Sequence, residues 1–181
     1  MTITPQSNGN QPLVCFAHGK ESGPYGTKIR YLATIAEAFG AKVISPDYSN
    51  IPLPDDRVKH LLALALPAHS RLILVGSSMG GYVSAVASRH LKPDGLFLLA
   101  PAVFMPGYEE PSPEPVAVEN SVVFGWRDEV IPVHHGIRYA EQYRTTLHLL
   151  NADHRLNSAL AEIGVLFEAF LKRVLASSGG R

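Results

Sequence analysis

The stretch RLILVGSSMGGYVSAVASRH, residues 71–90, decides how the chain is read. A dense apolar run from Arg71 to Val75 leads through two serines and three glycines into a segment of helical period. Gly76-Ser77-Ser78-Met79-Gly80 fits G-x-S-x-G, directly after a strand and directly before a helix, which is the setting of a nucleophile elbow. The spacing selects Ser78 and leaves Ser77 as the variable position. Crowding supplies the physical reason: the central serine sits in a strained tight turn, so the residues two before and two after it must be small for strand and helix to approach. Phosphate-loop alternatives fail on detail. Gly81 is followed by Tyr82 instead of the Lys-Ser/Thr of a Walker loop, and a dinucleotide fingerprint would need glycine where Ser78 stands.

The rest of the chain is of one domain's length. With 181 residues it can bury roughly 70% of the surface exposed when unfolded. Hydrophobic residues make up 46% and charged residues 18%, and 16 Lys plus Arg balance 16 Asp plus Glu. That composition argues against disorder and against electrostatic attraction to nucleic acid. The start, MTITPQSNGNQP, has no basic end followed by an apolar run, and no segment reaches the length of a membrane span, so a soluble cytoplasmic protein is expected. The single cysteine, Cys15, lies in the apolar run PLVCFA; this excludes an intramolecular disulfide and any multi-cysteine metal site, and it reads as a buried strand residue.

Six short apolar runs read as strands: Leu13–Ala17, Lys42–Pro46, Arg71–Val75, Gly95–Ala100, Ser121–Trp126 and Thr146–Leu150. Near-continuous apolar runs indicate strands covered on both faces, the condition of a parallel sheet between helices. Helical segments fill the gaps over Thr27–Phe39, Asp55–Leu66, Gly80–His90, His134–Tyr143 and Leu156–Leu175. The first places Ile29, Leu32, Ile35, Ala36 and Phe39 on one face and ends at Gly40. The alternation gives an α/β fold: a single domain with an open, doubly wound, mainly parallel sheet and helices on both faces. Residues 101–120, PAVFMPGYEEPSPEPVAVEN, hold five prolines and no helical period, and read as an ordered, semi-rigid flap over the surface. Residues 1–11 and 176–181 read as a flexible start and a frayed tail.

In such sheets function gathers at the carboxyl ends of the strands. A serine hydroxyl is a poor nucleophile until a general base takes its proton and a carboxylate orients that base. The strand SVVFGW is followed at once by Arg127-Asp128-Glu129, and the last strand by Asn151-Ala152-Asp153-His154. The order Ser, Asp, His is that of the α/β-hydrolases. Of the eight histidines, only His154 follows the last strand; His148 lies within it, and His134 and His135 begin a helix. Asp128 competes with Glu129 and with Asp153, and Asp153 reads as a turn or capping residue, because adjacent side chains seldom face one another well enough for an orienting bond.

Four segments in order, FAHG, GSSMGG, GWRDEVIP and ADHR, resemble the α/β-hydrolase superfamily, in particular its small, cap-less bacterial esterases and thioesterases. The resemblance spans nearly the whole chain. It implies a minimal α/β-hydrolase fold that keeps the central parallel strands and lacks the usual antiparallel N-terminal pair. It implies Ser78 as nucleophile, His154 as general base and acid, and Asp128 as the residue that orients it. The oxyanion donors implied are the backbone N–H groups of Met79 and of Lys20, with Glu21 as a substitute for Lys20, while His18 braces the loop. No metal or cofactor is required.

Acyl transfer on a small-molecule ester or thioester is therefore expected, with an amidase or peptidase using the same groups, or a non-catalytic binding protein, as the alternatives. The short flap leaves an open cleft suited to small or flexible acyl groups. Phe104, Met105 and Tyr108 are candidate walls, Tyr25 and Tyr48 candidate borders, and Trp126 falls between core and rim.

Overall fold

The six apolar runs become six strands, all parallel, in the order β2-β1-β3-β4-β5-β6. The structure is a computed structural model that describes residues 10–177. The expectations for residues 1–9 and 178–181 fall outside the described residues. The strands are β1 (Leu13–Ala17), β2 (Lys42–Ile44), β3 (Leu72–Ser77), β4 (Gly95–Leu99), β5 (Glu119–Gly125) and β6 (Thr146–Leu150). They alternate with α1 (Thr27–Ala38), α2 (Pro54–Ala63), α3 (Met79–Leu91), α4 (Val133–Tyr143) and, after a 3-10 turn over Asn157–Ala159, α5 (Leu160–Ala176).

Every residue of β1, β3 and β4 is buried, as central parallel strands require. The edge strands β2 and β6 are partly exposed. Helices α1 and α5 pack on each other, and α2 packs on α3. Right-handed crossovers put the first pair on one face of the sheet and α2, α3 and α4 on the other.

Several boundaries differ from expectation: β5 begins two residues early at Glu119, α2 ends three residues early at Ala63, and three others have a plain physical cause. β2 stops at Ile44, two residues early, because it is an edge strand entering Pro46, which has no N–H for a ladder. β3 runs on to Ser77, where it pairs with Leu99 of β4, so the elbow serine follows the strand without a spacer. α5 begins at Leu160 because Leu156 adopts a left-handed backbone, φ 59°, that no helix could pass through.

The chain leaves β1 for β2 on one side and returns to β3 on the other, so the strand order reverses between β1 and β3. In open α/β sheets this reversal opens a crevice at the carboxyl ends. Ala17, the last residue of β1, pairs with Gly76 of β3, so the loop after β1 and the elbow after β3 face one another across that crevice.

Residues 101–118 form neither helix nor strand, as the prolines predict. They are tied down along their length. Arg89 forms a bidentate ion pair with Glu110, the Glu110 N–H donates to Tyr82 Oη at 3.3 Å, and Val116 N–H donates to Ser88 Oγ at 2.9 Å. From α4, the Tyr139 hydroxyl donates to Pro113 O at 2.7 Å and the Tyr143 hydroxyl to Ser112 O at 2.5 Å.

Candidate active site

Ser78 ends the strand and starts the helix with φ 55° and ψ −120°, a backbone that costs an L-residue roughly 1–3 kcal/mol. Its surroundings hold it there. The Ser78 N–H donates to Leu99 O at 2.9 Å, and Ser78 O accepts from the N–H of Gly81, of Tyr82 and of Ala102. The two small neighbours are required by close approach. A Cβ on Gly76 would lie 2.2 Å from Gly80 O, and one on Gly80 would lie 1.9 Å from Ala17 O. The strand, the helix and the end of β1 thus meet backbone to backbone, and the serine is pushed to the apex.

Ser78, His154 and Asp128, which come from three separate loops, meet there. Asp128 Oδ1 accepts from the N–H of Val130 at 2.9 Å and of Ile131 at 2.8 Å, which fixes the carboxylate at the turn after β5. Its side chain is fully buried. The other oxygen, Oδ2, lies 2.8 Å from His154 Nδ1, and His154 Nε2 lies 3.0 Å from Ser78 Oγ. A carboxylate can only accept, so Nδ1 carries the ring proton and donates, which leaves the Nε2 lone pair to accept the hydroxyl proton of Ser78. Asp153 makes the turn instead: its Oδ1 accepts from Leu156 N–H at 3.0 Å. Glu129 is exposed at the rim. His135 Nδ1 donates to Val103 O at 3.0 Å, and His148 faces Ser121 within the sheet.

His18 is buried, with Nδ1 donating to Gly19 O at 2.8 Å and Nε2 accepting Tyr48 N–H at 2.9 Å. Both bonds are made by a neutral ring, and burial pushes its pKa below the usual range. It braces the loop after β1. Gly19 and Lys20 of this loop line a cleft of about 640 Å³ together with Ser78, Met79 and His154. Met79 opens α3, and the first N–H groups of a helix have no intrahelical partner.

Of the candidate walls, Met105 and Tyr108 line the cleft, whereas Phe104 instead packs under Arg138, whose guanidinium carbon is 4.1 Å from the ring centroid. Tyr48 does not border the cleft. It is buried against His18 and His60, because the Tyr48 backbone bond to His18 carries the ring inward. Tyr25 and Trp126 are exposed outside the cleft lining. Cys15 is buried in β1, and burial pushes its thiol up to about 12.

Two charged residues of this region escaped the sequence reading. Lys28, in the first turn of α1, is half-buried and lines the cleft, and among the described residues it makes no hydrogen bond or ion pair. Burial pushes its ammonium down to about 8 against the opposing pull of Asp153 and Asp128. Arg57 is buried beneath the loop after β1. Neither carries a motif; a basic residue inside a helix reads as solvated until its neighbours are placed. Among the described residues no group of three or more His, Cys, Asp or Glu is arranged to hold a metal ion, and no helix is long and apolar enough to cross a membrane.

No protein-family model matches the sequence, and no curated protein matches it. Solved structures do. A protein of the alpha/beta superfamily from Xanthomonas campestris pv. campestris, whose hydrolase activity is itself an inference, shares 29% identity and a TM-score of 0.79 over 90% of this chain and 99% of that one. Est1E from Butyrivibrio proteoclasticus, solved with ferulic acid bound, has 15% identity and a TM-score of 0.80 over 94% and 92%. A serine hydrolase without lid from Xanthomonas campestris has 20% identity and a TM-score of 0.66 over 94% and 84%. At the last two identities the likeness is one of fold.

Proposed function

We propose that this chain, which has the fold of the α/β-hydrolase superfamily, is a serine hydrolase that cleaves carboxylic ester or thioester bonds of small or flexible acyl compounds. One observation carries the reading. Asp128, His154 and Ser78 form a continuous hydrogen-bonded line, 2.8 Å and then 3.0 Å, that ends on the hydroxyl of a serine at the apex of a strained elbow in an open cleft.

Ser78 Oγ attacks the acyl carbonyl carbon while its proton passes to His154 Nε2. The resulting imidazolium is held in orientation and stabilised by the Asp128 carboxylate. The carbonyl oxygen becomes an oxyanion and takes hydrogen bonds from the N–H of Met79 and of Lys20. Loss of one such donor typically costs about 2.7–4 kcal/mol of barrier. As the tetrahedral species collapses, His154 returns its proton to the leaving alkoxide or thiolate, and the acyl group stays on Ser78. Water, deprotonated by His154, then attacks the acyl-enzyme and releases the acid and free Ser78. The pinned flap over residues 101–118 leaves the cleft open to solvent, which favours short or flexible acyl groups over large ones that need enclosure.

The test is a side-by-side assay of p-nitrophenyl esters of graded chain length, acyl-CoAs, a feruloyl ester and aminoacyl amides. Turnover of short esters or thioesters is expected. Turnover of amides alone would make the protein an amidase or peptidase instead. Absence of any turnover, with Ser78 inert to a fluorophosphonate, would leave a binding protein on this scaffold.

A further inference from the structure

Arg57 is 1% exposed, yet among the described residues it has no carboxylate within ion-pair distance. Burying an ion costs several kcal/mol unless its donors are met, so such a residue needs partners of another kind. Its partners are backbone carbonyls. Nε donates to Ile51 O at 2.7 Å, and one terminal nitrogen donates to His18 O at 3.2 Å and to Gly19 O at 3.3 Å. The guanidinium carbon also lies 5.6 Å from the centroid of the Tyr48 ring, where the face of the π-system favours a cation.

The Gly19 carbonyl belongs to the same planar peptide unit as the Lys20 N–H. No peptide bond among the described residues is cis, so the C=O and N–H of that unit point in opposite directions. Arg57 and His18 both draw the Gly19 oxygen toward the buried side of the loop. The Lys20 N–H is therefore turned the other way, and Gly19 and Lys20 line the cleft beside Ser78. A Cβ placed on Gly19 would sit 3.5 Å from that of Ser78, so the peptide is within a residue's breadth of the nucleophile. A cation on the carbonyl oxygen also polarises the amide and makes its N–H a stronger donor.

We propose that Arg57 is a positioning residue for acyl transfer: by clamping the carbonyls of His18 and Gly19 it aims and strengthens the Lys20 N–H as the second donor to the oxyanion formed at Ser78. The role rests on the reading of the site as a serine acyl-transfer centre. Its signature is selective. The oxyanion exists in the transition state and not in the bound substrate, so loss of the clamp lowers kcat and leaves KM almost unchanged. A purely structural arginine would reduce the number of working sites and leave the rate of each one alone.

Wild type, Arg57→Lys and Arg57→Met are compared on one p-nitrophenyl ester, with kcat counted per site titrated by a fluorophosphonate. Arg57→Met is expected to lower kcat per site by about 10–100-fold with KM within about twofold, a smaller effect than outright deletion of a donor. Arg57→Lys, which keeps a cation but can satisfy fewer carbonyls, falls between the two. Equal per-site turnover in Arg57→Met overturns the proposal. A second measurement needs no variant. In the isotopically labelled wild type, phosphonylation of Ser78 places an oxygen in the oxyanion position, and the amide proton of Lys20 is expected to move downfield with that of Met79. A Lys20 amide that stays in place overturns the proposal even if the variants fail to fold. A wild type that neither labels nor turns over ester would instead refute the acyl-transfer reading itself.

Discussion

His154 Nε2 accepts a hydrogen bond from Ser78 Oγ at 3.0 Å, although the two residues stand 76 positions apart in the chain. The neighbouring Ser77 ends β3 as a buried residue paired with Leu99 and has no such partner among the described residues. A fluorophosphonate is therefore expected to label wild type and Ser77→Ala but not Ser78→Ala, read by intact mass. Ester turnover by Ser78→Ala should fall roughly 10⁴-fold or more. Label that persists on Ser78→Ala would move the nucleophile elsewhere.

Asp128→Asn keeps the shape of the turn but offers His154 an amide in place of a carboxylate, which disfavours the tautomer with the proton on Nδ1. A fall in kcat of roughly 10⁴-fold is expected, with little change in stability. Asp153→Asn, altered beside the histidine in sequence, should change kcat by less than about tenfold, because Asp153 bonds Leu156 N–H and not the ring. Steady-state kinetics on the two variants separates the assignments.

Gly80→Ala would put a methyl group 1.9 Å from the Ala17 carbonyl oxygen, a backbone atom that cannot yield without moving β1. A loss of more than about 3 kcal/mol, or failure to fold, is expected in urea titration. Gly23→Ala meets nothing within 4 Å and serves as the control, with a change within about 0.5 kcal/mol.

Lys28 carries a stability signature in pH. Its folded pKa of about 8 lies below the unfolded value of about 10.4, so between these values the unfolded chain holds more protons and stability rises with pH. Below pH 8 the half-buried ammonium penalises the fold in full. Lys28→Met is therefore expected to exceed wild type in unfolding midpoint at pH 7, and the gap should close as pH approaches 10. A gap that widens with pH would contradict the burial that lowers this pKa.

The sheet was legible because a strand covered on both faces must be apolar throughout, and Leu13–Ala17, Leu72–Val75 and Gly95–Leu99 contain no break. The elbow was legible because close backbone approach leaves glycine as the only fit at positions 76 and 80. The histidine loop and acid turn could be placed because each directly follows a strand. Side-chain fates that depend on distant partners were not legible. Tyr48 looked like a loop tyrosine free to border a cleft, but its burial depends on His18, 30 residues away. Arg57 reads as an ordinary helix cation, since two of the three carbonyls it serves lie 38 and 39 residues upstream. Periodicity records how a segment faces the core; it does not record which single atom waits there.

The proline-rich loop after β4 is pinned on both sides of its tip, at Val103 by His135 of α4 and at Glu110, Pro113 and Val116 by α3 and α4, and a side chain added at Gly107 would meet nothing within 4 Å. An anchored loop with an empty apex is a socket. Extra sequence spliced in at Gly107 would be carried outward without loosening either anchor, so the molecule is a ready recipient for a transplanted lid, and the cover over the cleft can be redesigned without touching Ser78, His154 or Asp128.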